Sequence, residues 1–430
     1  MKRRRATLTG VALGNGIEFY DWAIYATTAP FFASQVFRSG HPVADILGVL
    51  AVFAVGFFAR PFGGLLFGWI ADRRGRRTAM TASIGLASLG SLMIALTPTF
   101  AAAGILAPVL LLIARVFQGL AHGGEMPAAQ TYLAEYAPRR RRGLYSSLIY
   151  ISVTSGVLAG TILGAVLSSS LPATAMDEWG WRIPFAVGAA LGLVTLFIRR
   201  YMAETETFTQ AQAAQTDRSA EPARQRLWPQ ILQHRRRALQ VVGMVSGLTV
   251  SYYVWAVSAP AYAVSLGMDR GAALWASVIG NLVFMAALPL WGALSDRIGR
   301  KPVMLAGSLG VLVMIFPMNS LLGPQPWTLA VGMSAVLVFM AANSSIMPTV
   351  MAELFPTGIR TIGVAVPYSI AIALFGGTAP YLQTWLTELS GSAALFSGYA
   401  IVLTLVSIVT VLTLPETRAK ELNDSRPTRF

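Results

Sequence analysis

Apolar residues run along this chain in long blocks, broken at intervals by short polar clusters. An α-helix needs about 20 residues to cross a ~30 Å hydrocarbon core. Twelve blocks reach roughly that length: residues 8–35, 45–71, 78–97, 104–134, 144–168, 182–201, 238–265, 272–295, 302–322, 327–353, 361–388 and 393–414. The pattern predicts an all-α membrane protein of twelve transmembrane helices. The longest polar interval, residues 203–237, parts six helices from six. Composition agrees, with 12% of the 430 residues charged and 55% hydrophobic, where soluble domains carry about 25% charged residues.

A net charge of +14 would suggest nucleic acid in a soluble chain, but its distribution points to membrane lipid instead. With a cytoplasmic N-terminus, 28 of the 33 Lys and Arg residues fall on the cytoplasmic side. Arg38, Arg182 and Arg270 fall outside, while Arg60 and Arg115 lie within spans. This is the positive-inside bias, and it predicts a multi-pass protein with both termini in the cytoplasm and no nucleic-acid partner. The opening MKRRRATLTG reads as the anchor of the first span, because Asn15, Glu18 and Asp21 interrupt what a signal peptide would keep apolar. There is no cysteine, and the three histidines are scattered, so no metal site is expected. None of Lys2, Lys301 and Lys420 precedes Ser or Thr, which excludes a Walker A loop. Neither an enzyme nor an ATP-driven pump is expected.

The polar clusters repeat. GWIADRRGRR (68–77) and GALSDRIGRK (292–301) share one pattern, displaced by 224 positions. AEYAPRRRRG and AELFPTGIRT place Glu135 and Glu353 three residues before a Pro and seven before an Arg, Arg142 and Arg360. A third pair aligns Glu204 with Glu416. The chain therefore divides into a six-helix bundle over 1–202, a cytoplasmic linker over 203–237, a second bundle over 238–415 and a tail over 416–430. Asp72, Arg73, Gly75 and Arg76, with their counterparts Asp296, Arg297, Gly299 and Arg300, suit gating, as do Glu135, Arg142, Glu353 and Arg360. Carboxylate–arginine pairs at helix ends can clamp two halves together and must break when that side opens. The alternative is a static topological anchor.

Within the spans, ionisable side chains are confined to the first half: Glu18 and Asp21, Arg60, and Arg115, His122 and Glu125. At 100° per residue, Asn15, Glu18, Asp21, Trp22 and Tyr25 share an arc of about 120°, and Arg115, Gln118, His122 and Glu125 share about 80°. Such groups in a membrane face a bundle interior or wet cavity and pair there. With His122 neutral, three carboxylates against two arginines leave a charge of −1 that one proton cancels. Arg115 and Arg60 are the candidate ligands for an anion, because the guanidinium fork matches a carboxylate. Bracing of the first span by Arg115, or pinning of a kink by Arg60 before Pro61, is the structural alternative. Glu18, Asp21, His122 and Glu125 are the candidate proton-coupling groups. The second half has no mid-span charge. It offers Tyr252, Tyr253, Asn343 and Tyr368, which with Asn15, Gln118 and Tyr150 would complete a binding cavity where the halves meet.

The repeated loop resembles the signature of the major facilitator superfamily. GNGIEFYDW, FFARPFGG, RVFQGLAHGGE, AEYAPRRRRG and WGWRIPF narrow the resemblance to its metabolite:proton symporter branch. His122 and Met126-Pro127-Ala128 depart from the branch pattern. The resemblance implies a monomer in a bacterial cytoplasmic membrane, carrying a small organic acid or an osmolyte by alternating access. The residues favour a small anionic substrate imported with H⁺, and the resemblance implies a di- or tricarboxylate or a 2-oxoglutarate-like acid; Na⁺ is the alternative coupling ion, and no cofactor is expected. A betaine or proline carrier is the second reading, and a drug/proton antiporter the third.

Overall fold

The computed structural model describes residues 2–74, 76–123, 130, 133–134, 137–200, 233–356 and 359–418, without the side chains of 2–13, 71–73, 76–77 and 198–200. Its first six long helices are α1 (Lys2–Val36), α2 (Pro42–Arg74), α3 (Arg76–Ala95), α4 (Leu106–Ala121), α5 (Arg142–Ser170) and α6 (Arg182–Arg200). The second six are α7 (Arg235–Ser265), α8 (Arg270–Ile298), α9 (Arg300–Leu321), α10 (Pro326–Leu354), α11 (Arg360–Ser390) and α12 (Ala394–Thr413). Among the described residues nine helices are long and apolar enough to cross a membrane, and Ala173–Gly180 with Arg182–Phe197 makes a tenth span bent by 42°. The other two are α1, whose apolar run is broken by Asn15, Glu18 and Asp21, and α4, described over 16 residues.

The burial pattern is that of a protein dissolved in lipid. The outer helices expose Leu92 on α3, Val194 on α6, Phe316 on α9 and Val409 on α12, while Asn15, Glu18, Asp21, Arg60 and Arg115 are buried. Helices meet this requirement because each satisfies its backbone hydrogen bonds internally. In the first bundle α1 packs on α5, α2 on α4, and α3 on α4 and α6. In the second, α7 packs on α11 and α12, α8 on α10, and α9 on α10 and α12. The bundles meet where α5 lies along α8 and α10, α2 against α11, and α1 against the last turns of α7.

Glycine sets the closeness of two crossings. A Cβ on Gly156 would overlap the Gly16 carbonyl, so α1 and α5 touch through backbone; Gly119 and Gly56 do the same for α4 and α2. That accounts for the Gly156–Gly160–Gly164 spacing, whose successive members pack on Gly16, Ile24 and Leu274.

Two features depart from the expected regular spans. Helix α4 ends at Ala121 in a turn at His122 and Gly123, and residues 130 and 133–134 are helical again. The predicted arc of Arg115, Gln118, His122 and Glu125 meets that turn at its third member, His122. Helix α7 changes to π geometry over Tyr252–Ser258, and α11 over Ile372–Gly376. Such wide turns loosen the backbone ladder. Here Ser258 Oγ donates to the Tyr253 carbonyl at 2.8 Å, and Asn281 Nδ2 donates to the Ala256 carbonyl at 3.2 Å.

Candidate functional site

The predicted charges of the first bundle converge. Glu18 on α1 pairs with Arg60 on α2, Oε1 to Nη2, at 3.0 Å. The indole of Trp22 carries both arginines: the guanidinium carbon of Arg115 lies 4.0 Å from its ring centroid and that of Arg60 4.4 Å. Tyr25 and Phe53 complete the surroundings of Arg115, at 4.2 and 5.2 Å, and Phe57 lies 4.7 Å from Arg60. Two like charges so close are tolerable because the rings present their negative faces to both and carboxylates stand beside them. Trp22 is itself fixed, its Nε1 donating to His122 Nδ1 at 3.3 Å.

Each guanidinium keeps an open edge. Nε and Nη2 of Arg115, and Nε of Arg60, meet no acceptor among the described residues. Arg115 Nη1 donates to Gln118 Oε1 at 2.7 Å. The Nε–Nη2 side of a guanidinium is a two-pronged donor that suits a carboxylate. Asn15 is fully buried and its amide has no partner among the described residues.

The second bundle closes this site with phenol rings. The π turn of α7 brings Tyr253 to 4.9 Å from Phe57 and Tyr252 to 6.3 Å from Phe19, centroid to centroid. Tyr252 also packs on Tyr150 of α5 at 6.0 Å, and Tyr150 hydrogen-bonds with Tyr368 of α11. Arg60, Arg115, Glu18, Tyr150, Tyr252, Tyr253 and Tyr368 are each at most 5% exposed. The cluster is occluded.

One predicted ligand lies elsewhere. Asn343 was expected at the central cavity, but its amide faces α9, where its oxygen accepts from Ser308 Oγ at 3.3 Å and its nitrogen donates to the Met304 carbonyl at 3.2 Å. The correction has a simple cause: α10 is buried on every side from Met340 to Leu354, so an amide there has two interiors to face. Glu125 lies outside the described residues.

Among the gating candidates, Gly75 and Glu135 lie outside the described residues, as do the side chains of Asp72, Arg73 and Arg76. The second-half set forms one network at the end that carries the Arg139–Arg142 and Arg297–Lys301 clusters, hereafter the basic end. Asp296 of α8 accepts the backbone N–H groups of Gly143 and Leu144, at 2.9 and 3.0 Å, and so caps the N-terminus of α5 from the other bundle. Arg142 pairs with Glu353 at 3.3 Å. Arg300 donates to Asp296 Oδ1 at 2.8 Å and stands 4.0 Å from Glu353. Arg360 Nε donates to the Ala352 carbonyl at 2.9 Å. Arg297, one residue after Asp296 and so about 100° further round α8, is exposed and joins none of these contacts. Gly299 ends α8 with φ 112°, a turn open to glycine.

Three further contacts come from residues not assigned to the site in the sequence. Glu416 accepts the N–H groups of Arg300 and Lys301, at 2.9 and 3.0 Å, capping α9; its repeat pairing with Glu204 was its only signal. Ser91 of α3 donates to Asp21 Oδ1 at 3.0 Å. At the opposite end Arg270 pairs with Asp177 across the bundles.

Known proteins share this arrangement of chain and fold. A Major Facilitator Superfamily profile matches residues 11–255, and a Sugar (and other) transporter profile matches 209–427. The alpha-ketoglutarate permease of Escherichia coli (strain K12) is 36% identical over 416 residues, which are 95% of this chain and 94% of the permease. The proline/betaine transporter of Salmonella typhimurium is 29% identical over 435 residues, 98% of this chain and 86% of that protein. Among solved structures, the E. coli proton:xylose symporter XylE, bound to 6-bromo-6-deoxy-D-glucose, superposes with a TM-score of 0.75 at 19% identity over 97% of each chain, a likeness of fold. Two profiles that together span nearly the whole sequence, and a fold that agrees with them, leave one conclusion: the chain belongs to the major facilitator superfamily and is a membrane transporter, not an enzyme.

Proposed function

We propose that this transporter imports a small organic acid by proton symport through alternating access between the halves 1–202 and 238–415. It would work as a monomer in a bacterial inner membrane, with both termini in the cytoplasm. The observation that carries the reading is the open Nε–Nη2 edge of Arg115, buried at 0% exposure beside a second arginine. A buried guanidinium lacking acceptors is strongly disfavoured unless an anion completes it. Among the described groups, Glu18 and Asp21 balance the two arginines, so one added proton on this pair leaves a positive charge that suits one substrate carboxylate. Two relatives bear names that bracket the substrate class: a 2-oxo acid permease and a proline/betaine transporter.

A betaine or proline carrier is the second reading, favoured by the ring cluster, which would suit a quaternary ammonium. The indole face of Trp22, however, is already covered by Arg60 and Arg115, and Tyr25 also faces Arg115. The anion is the better fit.

Proteoliposomes holding the purified protein, an imposed proton gradient and labelled 2-oxoglutarate test this. Uptake should be accompanied by proton movement and outcompete betaine. Arg115→Lys keeps the charge but loses the fork, and uptake at low substrate should fall about tenfold to a hundredfold. Accumulation of betaine in preference, or uptake without proton movement, overturns the reading.

A further inference from the structure

Asp21 occupies the side of α1 that packs toward α3 and α6. Three hydrogen bonds nevertheless connect it to the anion site. Arg115 Nη1 donates to Gln118 Oε1 at 2.7 Å, Gln118 Nε2 donates to Ser91 Oγ at 2.8 Å, and Ser91 Oγ donates to Asp21 Oδ1 at 3.0 Å. All three donors point one way, toward the carboxylate. Two glycines leave room for the chain. A Cβ at Gly90 would stand 2.7 Å from Gln118 Cγ, and one at Gly188 would stand 2.6 Å from Asp21 Oδ1. Gln118 and Ser91 are buried at 0% exposure, so water does not compete for these bonds.

We propose that Ser91 and Gln118 are positioning residues that carry the protonation state of Asp21 to the guanidinium of Arg115. A proton taken up behind α1 would thereby set the geometry of the anion site in front of it. The proposal rests on the symport reading and adds the path by which the two ligands sense each other.

The polarity of the chain supplies the mechanism. With Asp21 ionised, every link runs donor to acceptor toward it, and Arg115 is held through Nη1. Protonation replaces a charge-assisted bond by a neutral one of about half the strength. A proton on Oδ1 does more, because that oxygen then donates to Ser91 Oγ. The Ser91 hydroxyl hydrogen, displaced from Asp21, then needs a new acceptor; in the proposed relay Gln118 turns its amide to accept it, and its NH₂ meets the Arg115 N–H donor to donor. The guanidinium is released. Only one O–H bond forms, and the proton comes from the water that reaches Asp21.

In the proposal that water enters from the basic end. A cleft beside Asp21 is lined by Gly14 and Ile17 of α1, Ser83 and Ile84 of α3, and Gly192 and Thr195 of α6. Helices α1 and α3 start at the basic end and α6 finishes there, so all six lie on the basic-end side of Asp21. Among the described residues, the charged and titratable groups around the carboxylate are Glu18 and Tyr20 on α1, Arg115 on α4 and His122 in the turn after it. The described side chains that α3 and α6 bring to the cleft are uncharged.

Infrared difference spectra recorded on acidifying the full protein in lipid vesicles test the relay without any substrate. The protonated-carboxyl band that vanishes in Asp21→Asn belongs to Asp21. It should move to higher frequency in Ser91→Ala, return in Ser91→Thr, and move also in Gln118→Leu, although Gln118 does not touch Asp21. In the same vesicles, the ratio of 2-oxoglutarate uptake at acid to neutral pH should fall toward unity in Ser91→Ala and recover in Ser91→Thr. A band that Gln118→Leu leaves in place, or no Asp21-dependent band at all, overturns the relay. A wild type that moves no proton with 2-oxoglutarate sinks the symport reading instead, and the infrared result then still decides the relay.

Discussion

The two ends of the molecule are both closed, yet by contacts of different kinds. At the basic end the bundles are joined by Asp296 on the α5 N-terminus and by Arg142–Glu353, whose side chains are 7% and 0% exposed. At the opposite end the joining pair is Arg270–Asp177, with 39% and 40% exposed, helped by Trp275 Nε1 donating to Ser169 Oγ at 3.2 Å. Charge and geometry are similar; access to water is not. Removing one partner of a buried pair strands the other and is destabilising by about 3–5 kcal/mol, whereas an exposed pair contributes about 0–1 kcal/mol. On this footing the basic-end closure should act as a latch and the opposite closure as a light catch. Such a molecule should open more readily at the opposite end until something at the centre changes the balance.

The strongest way to break the contrast is Asp296→Ala. It removes the acceptor of two helix N–H groups and the partner of Arg300, which is itself 2% exposed. The chain holds no cysteine, so a single Ser146→Cys on α5 reports basic-end opening without background. Labelling of that thiol by an impermeant maleimide should rise about a hundredfold or more when Asp296 is lost, following the several kcal/mol expected of a stranded buried charge. Unchanged labelling would show that the latch lies elsewhere.

Gly292→Val tests the same interface sterically and should act less strongly. Gly292 and Gly143 bring α8 and α5 together so closely that a Cβ on Gly292 would sit 2.6 Å from the Gly143 carbonyl. Overpacking of this kind is destabilising by about 1–3 kcal/mol. The Ser146→Cys reporter should respond about tenfold, and Gly292→Ala should fall between Val and wild type.

Much of this contrast was legible in the sequence, and the reasons differ by residue. Run length and the duplicated loop foretold twelve helices in two bundles, because hydrocarbon thickness leaves few other solutions. The alignment of Glu18, Asp21, Arg60 and Arg115 was legible because charges in lipid have only one place to go. Asn343 misled because α10 has no outward face to orient it. Arg297 stands apart from the network because it shares α8 with Asp296 at the next position, about 100° round the helix, so the two cannot both face the partner bundle. Ser91 gave no signal: in LASLGSL a serine looks like one more small packing residue, and only the distance to Asp21 shows its use. The π turn under Tyr252 and Tyr253 was equally silent, since hydrophobic periodicity does not encode one extra residue per turn.

The smallest expected effect lies at the catch, and it sharpens the comparison by its smallness. Arg270→Gln removes the pair with Asp177 and the contact of Arg270 with the Phe31 ring, 4.9 Å from its centroid. Both are half in water, so together they amount to at most about 1 kcal/mol, a change of some fivefold in population. A cysteine at Ala263, in the last turns of α7 that pack on α1, should label only a few times faster in the variant. Because exposed charges are screened over about 8–10 Å at physiological salt and over about 3 Å at 1 M, wild type and Arg270→Gln should converge as salt is raised. The Asp296→Ala effect, arising in a buried network, should persist under the same conditions. If salt erased both differences alike, burial would not be what separates latch from catch.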